Sequence, residues 1–93
     1  MNKIEHLLTC LSEECGESVQ AASKAIRFGL NSQWYEETNR RILEREIADI
    51  IGVAQELGLK IRPKDITAKR KKLKKMMDYS IKSGMLDNGE YTL

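Results

Sequence analysis

The chain has 93 residues, 41% of them hydrophobic and 32% charged, with a single proline and a formal net charge of +2. A domain of this size buries roughly 60 to 65% of its unfolded surface, which allows a modest core that self-association would strengthen. The composition excludes a disordered chain and a turn-rich β sandwich, and no apolar run approaches the ~18 residues a membrane span requires. The N-terminal stretch MNKIEHLLTCLSEECGE meets acid too early for a secretory signal, so the expectation is a soluble, intracellular protein.

Ile4, Leu7, Leu8, Leu11, Cys15, Val19, Ala22 and Ile26 recur at steps of three and four, which predicts one long helix ending near Gly29. Cys10 and Cys15 point ~140° apart on such a helix and read as small apolar fillers rather than a disulfide or a shared metal site. His6, the only histidine, has no cysteine or histidine at ligand spacing and reads as a surface residue. The tract FGLNSQWYEETN is a connection with a short turn of helix around Tyr35, and Trp34 within it is expected to pack on the core rather than to offer a stacking surface.

Thr38 or Asn39 caps a second helix whose apolar stripe is Ile42, Leu43, Ile47, Ile50, Ile51, Val53, Ala54 and Leu57, closed by Gly58. Pro63 or Lys64 opens a third helix with a sparser stripe of Ile66, Leu73, Met76, Met77 and Ile81, ending near Gly84. The tail LDNGEYTL reads as a turn that is free or pairs with a partner subunit. The predicted fold is all-α: one domain over residues 1–93, a helical bundle of about three main helices plus a short connecting helix, completed by oligomerisation.

The acids concentrate before Glu56 and the bases between Lys60 and Lys75. On the first helix Glu14 and Glu17 are three apart and share a face beside the stripe of Leu7, Leu11 and Cys15, while Glu13 turns further to solvent. On the second, Glu46 and Asp49 repeat that spacing, and Glu46 falls among Ile42, Leu43, Ile50 and Val53 on the side that must bury itself. Antiparallel packing of the two helices brings Glu14, Glu17, Glu46 and Asp49 together. Two unit charges ~4 Å apart repel by about 4 kcal/mol at an effective dielectric of 20, so such a cluster requires cations.

An all-carboxylate donor set selects a hard ion, Mg²⁺ first and Mn²⁺ second. Magnesium held this way keeps open positions for phosphate oxygens, so a phosphate ester or anhydride is the expected ligand. The structural alternative is neutralisation by Lys24, Arg27, Arg40, Arg41 or Arg45, which explains charge balance but not the matched spacing on two helices.

Glu13-Glu14-x-x-Glu17 followed by Glu46-x-x-Asp49 resembles the EExxE and ExxD signature of the MazG-like, all-α nucleoside triphosphate pyrophosphohydrolases, and AASKAIRFGL after the first motif is similar to small members, including phage-encoded ones. The resemblance implies a helical bundle, a homodimer or homotetramer in the cytoplasm (the host's, for a phage protein), that uses Mg²⁺ to cleave a nucleoside triphosphate between its α and β phosphates. By position it makes Glu14, Glu17, Glu46 and Asp49 metal ligands, and Glu13 a supporting ligand or the base that deprotonates the attacking water. It points to the third helix for phosphate contacts, where Lys72, Lys75 and Tyr79 are the candidates.

Lys24, two turns beyond Glu17 on nearly the same face, is a further phosphate candidate, and Trp34 a candidate for stacking on the base. A sister activity, phosphoribosyl-ATP pyrophosphohydrolase, shares the chemistry and differs in substrate. A reading of another class is a nucleic-acid or partner-binding module using KRKKLKKMM. That segment has no interleaved aromatics, and metal-free acids would repel phosphate, so nucleic acid ranks below the nucleotide as partner.

Overall fold

Three helices and one small hairpin make up the computed structural model, which describes residues 1–87. Helix α1 (Lys3–Phe28) starts where the Asn2 side chain accepts the Glu5 amide at 2.8 Å. It stops at Gly29, whose φ of 100° is open to a residue without a Cβ and whose N–H still reaches the Ala25 carbonyl at 2.9 Å.

The short connecting helix expected around Tyr35 is replaced by an antiparallel hairpin. Strand β1 (Gln33–Trp34) pairs with β2 (Glu37–Thr38), Gln33 opposite Thr38 and Trp34 opposite Glu37. Tyr35 takes φ 56° at the first position of the two-residue turn, a place where a hairpin of this kind favours glycine. The conventional turn signal is therefore missing from the sequence.

Long-range bonds hold the connection in place. The buried Asn39 donates from its side chain to the Gly29 carbonyl at 2.9 Å and from its backbone to Ser32 at 3.0 Å, and the Arg40 amide reaches Leu30 at 2.7 Å. The Arg45 guanidinium forks onto the Glu37 carboxylate at 2.7 and 2.5 Å, tying β2 to the helix that follows.

Helix α2 (Asn39–Glu56) is capped by the Thr38 hydroxyl, which accepts the Arg41 amide at 3.1 Å, and it ends at Leu57 ahead of Gly58 with φ 77°. The short connection makes α1 and α2 antiparallel partners, and their interface is the packing core of this unit. Ala21 and Ala54 are its buried hydrophobic residues, with Leu7, Leu11, Ala22, Ala25, Ile42, Leu43, Ile50, Val53 and Leu57 half-buried around them.

That inner face corrects the stripe expected on α1. Ile4, Leu8, Cys15, Val19 and Ile26 are exposed, and on α2 so are Ile47 and Ile51. The small residues Ser18, Ala21, Ala22 and Ala25 line the contact with Leu7 and Leu11 instead. At about 100° per residue, the exposed aliphatic residues of both helices fall on one flank of the antiparallel pair, and Glu14, Glu17, Glu46 and Asp49 fall on the other.

The chain divides into two compact units, one of Met1–Lys60 and one beginning at Ile61. The second unit carries helix α3 (Pro63–Lys82), with proline in its first turn, Asp65 near its N-terminus and Lys82 near its C-terminus. Met77, Ser80 and Ile81 are its half-buried positions, while Ile66, Leu73 and Met76 are exposed. The predicted tail falls largely on residues 88–93, outside the described residues. No described helix is long and apolar enough to cross a membrane.

Candidate metal centre

Packing of α1 on α2 gathers Glu14, Glu17 and Glu46, each offering a carboxylate oxygen within 4.8 Å of the others. Glu14 sits on the inner face of α1, one turn before Ser18, rather than beside the apolar stripe as the sequence suggests. Glu46 occupies the corresponding inner position of α2. Both are half-buried, and Glu14 Oε2, Glu46 Oε2 and Ser18 Oγ are shielded from solvent without a hydrogen-bond partner. A shielded, unpartnered carboxylate oxygen is costly, so its presence calls for a cation or a proton.

Electrostatics agree with that geometry. Burial, then the charges of Glu17 and Asp49, lifts the Glu14 carboxyl above its ordinary value of 4.5. Glu46 is lifted by burial and by its contact with Glu17 and the charge of Asp49, against a smaller opposing pull from Arg45. Asp49 is exposed and acts on both glutamates through its charge, outside the group of three. Glu13 is exposed and also outside that group.

The five cations that could have neutralised the cluster are occupied elsewhere. Arg45 pairs with Glu37 and Arg41 with Glu44, the latter at 3.6 Å; Arg40 donates to Asn31 at 2.8 Å. The Lys24 ammonium lies 5.5 Å from the Trp34 ring centroid, and the Arg27 guanidinium 5.2 Å from that of Phe28. Among the described residues no salt bridge reaches Glu14, Glu17 or Glu46. The neutralisation alternative loses its direct salt bridges and keeps the weaker pull of Arg45 on Glu46.

Trp34 is 43% exposed and packs on the Phe28 and Tyr35 rings instead of the helical core. Lys72, Lys75 and Tyr79 are exposed residues of α3, in the second compact unit, and form no part of the hairpin that carries the carboxylates. Two features were not anticipated from the sequence. Ser18 contributes a shielded hydroxyl, and His6 Nε2 lies 3.7 Å from Cys10 Sγ, one helical turn away. The contact of His6 with Cys10, four residues on, corrects the expectation that His6 has no cysteine at a suitable spacing; nothing in the sequence marks Ser18 except its place between Glu14 and Ala22. Both cysteines are free.

The raised carboxyls set a pH dependence for the metal-free protein. Glu14 and Glu46 bind protons more tightly folded than unfolded, so their contribution to stability is complete below about 4.5 and is lost as pH rises through the raised values. Glu37, held low chiefly by its hydrogen bond to Arg45, acts in the opposite sense and below that window. In EDTA, calorimetric Tm is expected to fall from pH 4.5 toward neutrality, and the fall should shrink in Glu14→Gln. A Tm that is flat or rising over that interval would remove repulsion as a property of the cluster.

Comparison with protein-family models, with curated proteins and with solved structures finds no match to this chain.

Proposed function

We propose that the chain is a Mg²⁺-dependent nucleoside triphosphate pyrophosphohydrolase of the MazG-like kind, with Mn²⁺ as a substitute ion, cleaving the α–β phosphoanhydride to give a nucleoside monophosphate and pyrophosphate. The observation that carries this reading is the pair of shielded, unpartnered oxygens, Glu14 Oε2 and Glu46 Oε2, facing a third carboxylate with no salt bridge to any of the three among the described residues. The donor set fits the ion, since three carboxylates within 4.8 Å supply hard oxygens only. Glu14, Glu17 and Glu46 would hold it, with Asp49 as the fourth acid at the rim.

Bound there, the ion supplies charge neutralisation on the phosphoryl oxygens and a lowered pKa for water. The chain's own contribution is geometric and basic. α1 and α2 fix three carboxylates against each other without flexible loops, so little reorganisation accompanies substrate binding. Glu13, one residue before Glu14 and exposed to solvent, is assigned the base that takes the proton from the attacking water. Lys24 lies on the same flank of α1, two turns beyond Glu17, where its ammonium can meet a phosphate oxygen.

A second copy of the chain completes the assembly, as a homodimer or homotetramer. The hairpin alone buries only two alanines as hydrophobic residues, and Ile4, Leu8, Val19, Ile26, Ile47 and Ile51 share the flank opposite the acids. A matching flank from a second copy covers aliphatic side chains with aliphatic side chains and leaves both carboxylate clusters on the outside.

The deciding assay incubates the protein with ribo- and deoxyribonucleoside triphosphates and with phosphoribosyl-ATP, in Mg²⁺ and in EDTA, scoring pyrophosphate and free phosphate separately. Metal-dependent pyrophosphate with an equal yield of monophosphate is expected. Free phosphate as the product, or turnover indifferent to EDTA, would sink the proposal, and turnover of phosphoribosyl-ATP above the simple triphosphates would move it to the sister activity.

A further inference from the structure

The connection between α1 and α2 holds a feature that the carboxylate site does not use. Phe28 and Trp34 are nearly parallel, 25° between planes and 6.3 Å between centroids, and Tyr35 meets Trp34 edge-on at 5.2 Å. All three rings are open to solvent, Tyr35 at 86%. Two cations attend them, Lys24 at Trp34 and Arg27 at Phe28. Rings that served only to close the core would be covered by it, and these are not.

The backbone holds the group in an unfavourable way. Tyr35 keeps a positive φ at a turn position that glycine would occupy without strain, and its ring gains no burial in return. What that conformation does provide is a third ring beside Trp34. An exposed aromatic step is the usual platform for a nucleobase, because every base has a π face, and the cations now over the Trp34 and Phe28 rings are placed to meet the phosphate that a nucleotide carries beside its base.

Position along the helix adds a direction. Glu14, Glu17, Lys24 and Phe28 fall on one flank of α1 by helical spacing, with about 10 Å of axial rise from Glu17 to Lys24. The flank thus presents carboxylates, then an ammonium, then aromatic rings in that order. A nucleotide offers the complementary order: polyphosphate, then the 5′ phosphate, then the base.

We infer that Phe28, Trp34 and Tyr35 form a nucleobase-stacking platform for a free nucleotide whose phosphates run past Lys24 toward the carboxylates. This rests on the proposed nucleotide chemistry for its orientation, but the base contact itself needs neither metal nor turnover. Lys24 changes partner on binding: its ammonium leaves the indole face and takes the phosphate nearest the base. The inner faces of α1 and α2 stay as they are, so the platform is a surface and not a cleft. Selection among bases by hydrogen bonding is correspondingly weak, and aromatic overlap ranks purines above pyrimidines.

Trp34 is the only tryptophan of the chain, so its emission reports directly on the platform. The test titrates metal-free protein in EDTA with AMP, dTMP, ribose 5-phosphate, inorganic tripolyphosphate and a ten-residue oligothymidylate. Quenching by AMP and dTMP, stronger for AMP and well beyond the small change that ribose 5-phosphate or tripolyphosphate causes by drawing Lys24 off the indole, is the expected result. Lys24→Gln should weaken AMP severalfold and leave adenosine unaffected. Equal responses to tripolyphosphate and AMP, or no response to any base, would overturn the platform. Oligothymidylate binding orders of magnitude tighter than dTMP would overturn the free nucleotide in favour of a single strand.

Failure here and failure of the hydrolytic reading are separable. Quenching by AMP in a protein that releases no pyrophosphate leaves the platform and removes the reaction. Pyrophosphate release whose KM is unchanged in Trp34→Leu, with Trp34→Phe as the conservative control, leaves the reaction and removes the platform.

Discussion

Glu46→Gln is expected to reduce metal-dependent pyrophosphate release by two orders of magnitude or more while raising the melting temperature of the metal-free protein. The two effects share one cause. Glu46 projects from the inner face of α2 toward Glu14 and Glu17, with one oxygen shielded and unpartnered. In the metal-free chain its charge repels two others and is poorly solvated, so a neutral amide of the same shape relieves the folded state. With the ion and substrate present, Glu46 would be one of the three carboxylates that hold the ion against the anionic phosphoryl oxygens, and loss of one such preorganised electrostatic contact costs about 10²–10³ in kcat.

A variant that is inactive because it unfolds would not show a raised Tm, which separates the site from the fold. Kinetics add a second check. Loss in kcat and in kcat/KM together marks a contact that matters in the transition state, whereas a raised KM alone marks uniform binding. Asp49→Asn should fall between the wild type and Glu46→Gln, because Asp49 is exposed and acts on the cluster from outside the group of three. Normal turnover by Glu46→Gln would displace the site altogether.

The helix boundaries were legible because each rests on a local chemical signal. Gly29 and Gly58 supply the positive φ that ends α1 and α2, Thr38 supplies a cap hydroxyl, and Pro63 opens α3. The inner face of α1 was less legible. Two apolar series run along it, and the larger side chains, Leu8, Val19 and Ile26, outweigh Ser18, Ala21 and Ala25 in any reading by hydrophobicity. The structure turns the small series inward, which decides where Glu14 points.

The spacing of Glu14, Glu17, Glu46 and Asp49 located the acidic flank, since residues three apart share a face whichever face that is. It could not rank the four, because the ranking depends on the rotation of α1 about its axis. The hairpin was invisible for a different reason. Its turn uses Tyr35 where glycine is the recognisable signal, and its register is held by bonds from Asn39 and Arg45, residues that lie beyond it in the chain.

The flank opposite the acids sets the other large expectation. If a second copy covers this flank as proposed, Ile51→Lys should leave the chain monomeric at micromolar concentration and destabilise it. Ile47 is 47% and Ile51 42% exposed, and Val19 at 65% lies on the same flank of the partner helix. Fully burying an exposed side chain of this size is worth about 1.5–3 kcal/mol, and the 42% of Ile51 still exposed accounts for about 0.6–1.3 kcal/mol of that. In a twofold interface each substitution is present twice, so its removal amounts to roughly 1.3–2.5 kcal/mol per dimer, or one to two decades in dissociation constant.

Introducing a lysine adds the cost of placing charge against apolar surface, so the estimate is a lower bound. Sedimentation equilibrium of wild type, Ile51→Lys and a control on the outer face of α1, Gln20→Lys, reads the effect directly. A wild type that is monomeric at 100 µM, or an Ile51→Lys that matches it in mass, would show that a second copy does not cover this flank.

The same experiment bears on catalysis through stability rather than through contact. Ile51 lies on the opposite flank from Glu46, so monomerisation should lower activity only as far as it loosens α1 against α2. That loosening would move Glu14 and Glu17 relative to Glu46, and the proposed ion is held only where the three carboxylates stay together, as they do here within 4.8 Å of one another. Saturating Mg²⁺ should therefore restore part of the Tm lost in Ile51→Lys, because the ion binds the folded arrangement and pulls the equilibrium toward it. No such recovery is expected in Ile51→Lys combined with Glu46→Gln, where the ion has lost a ligand on the helix it would have to hold.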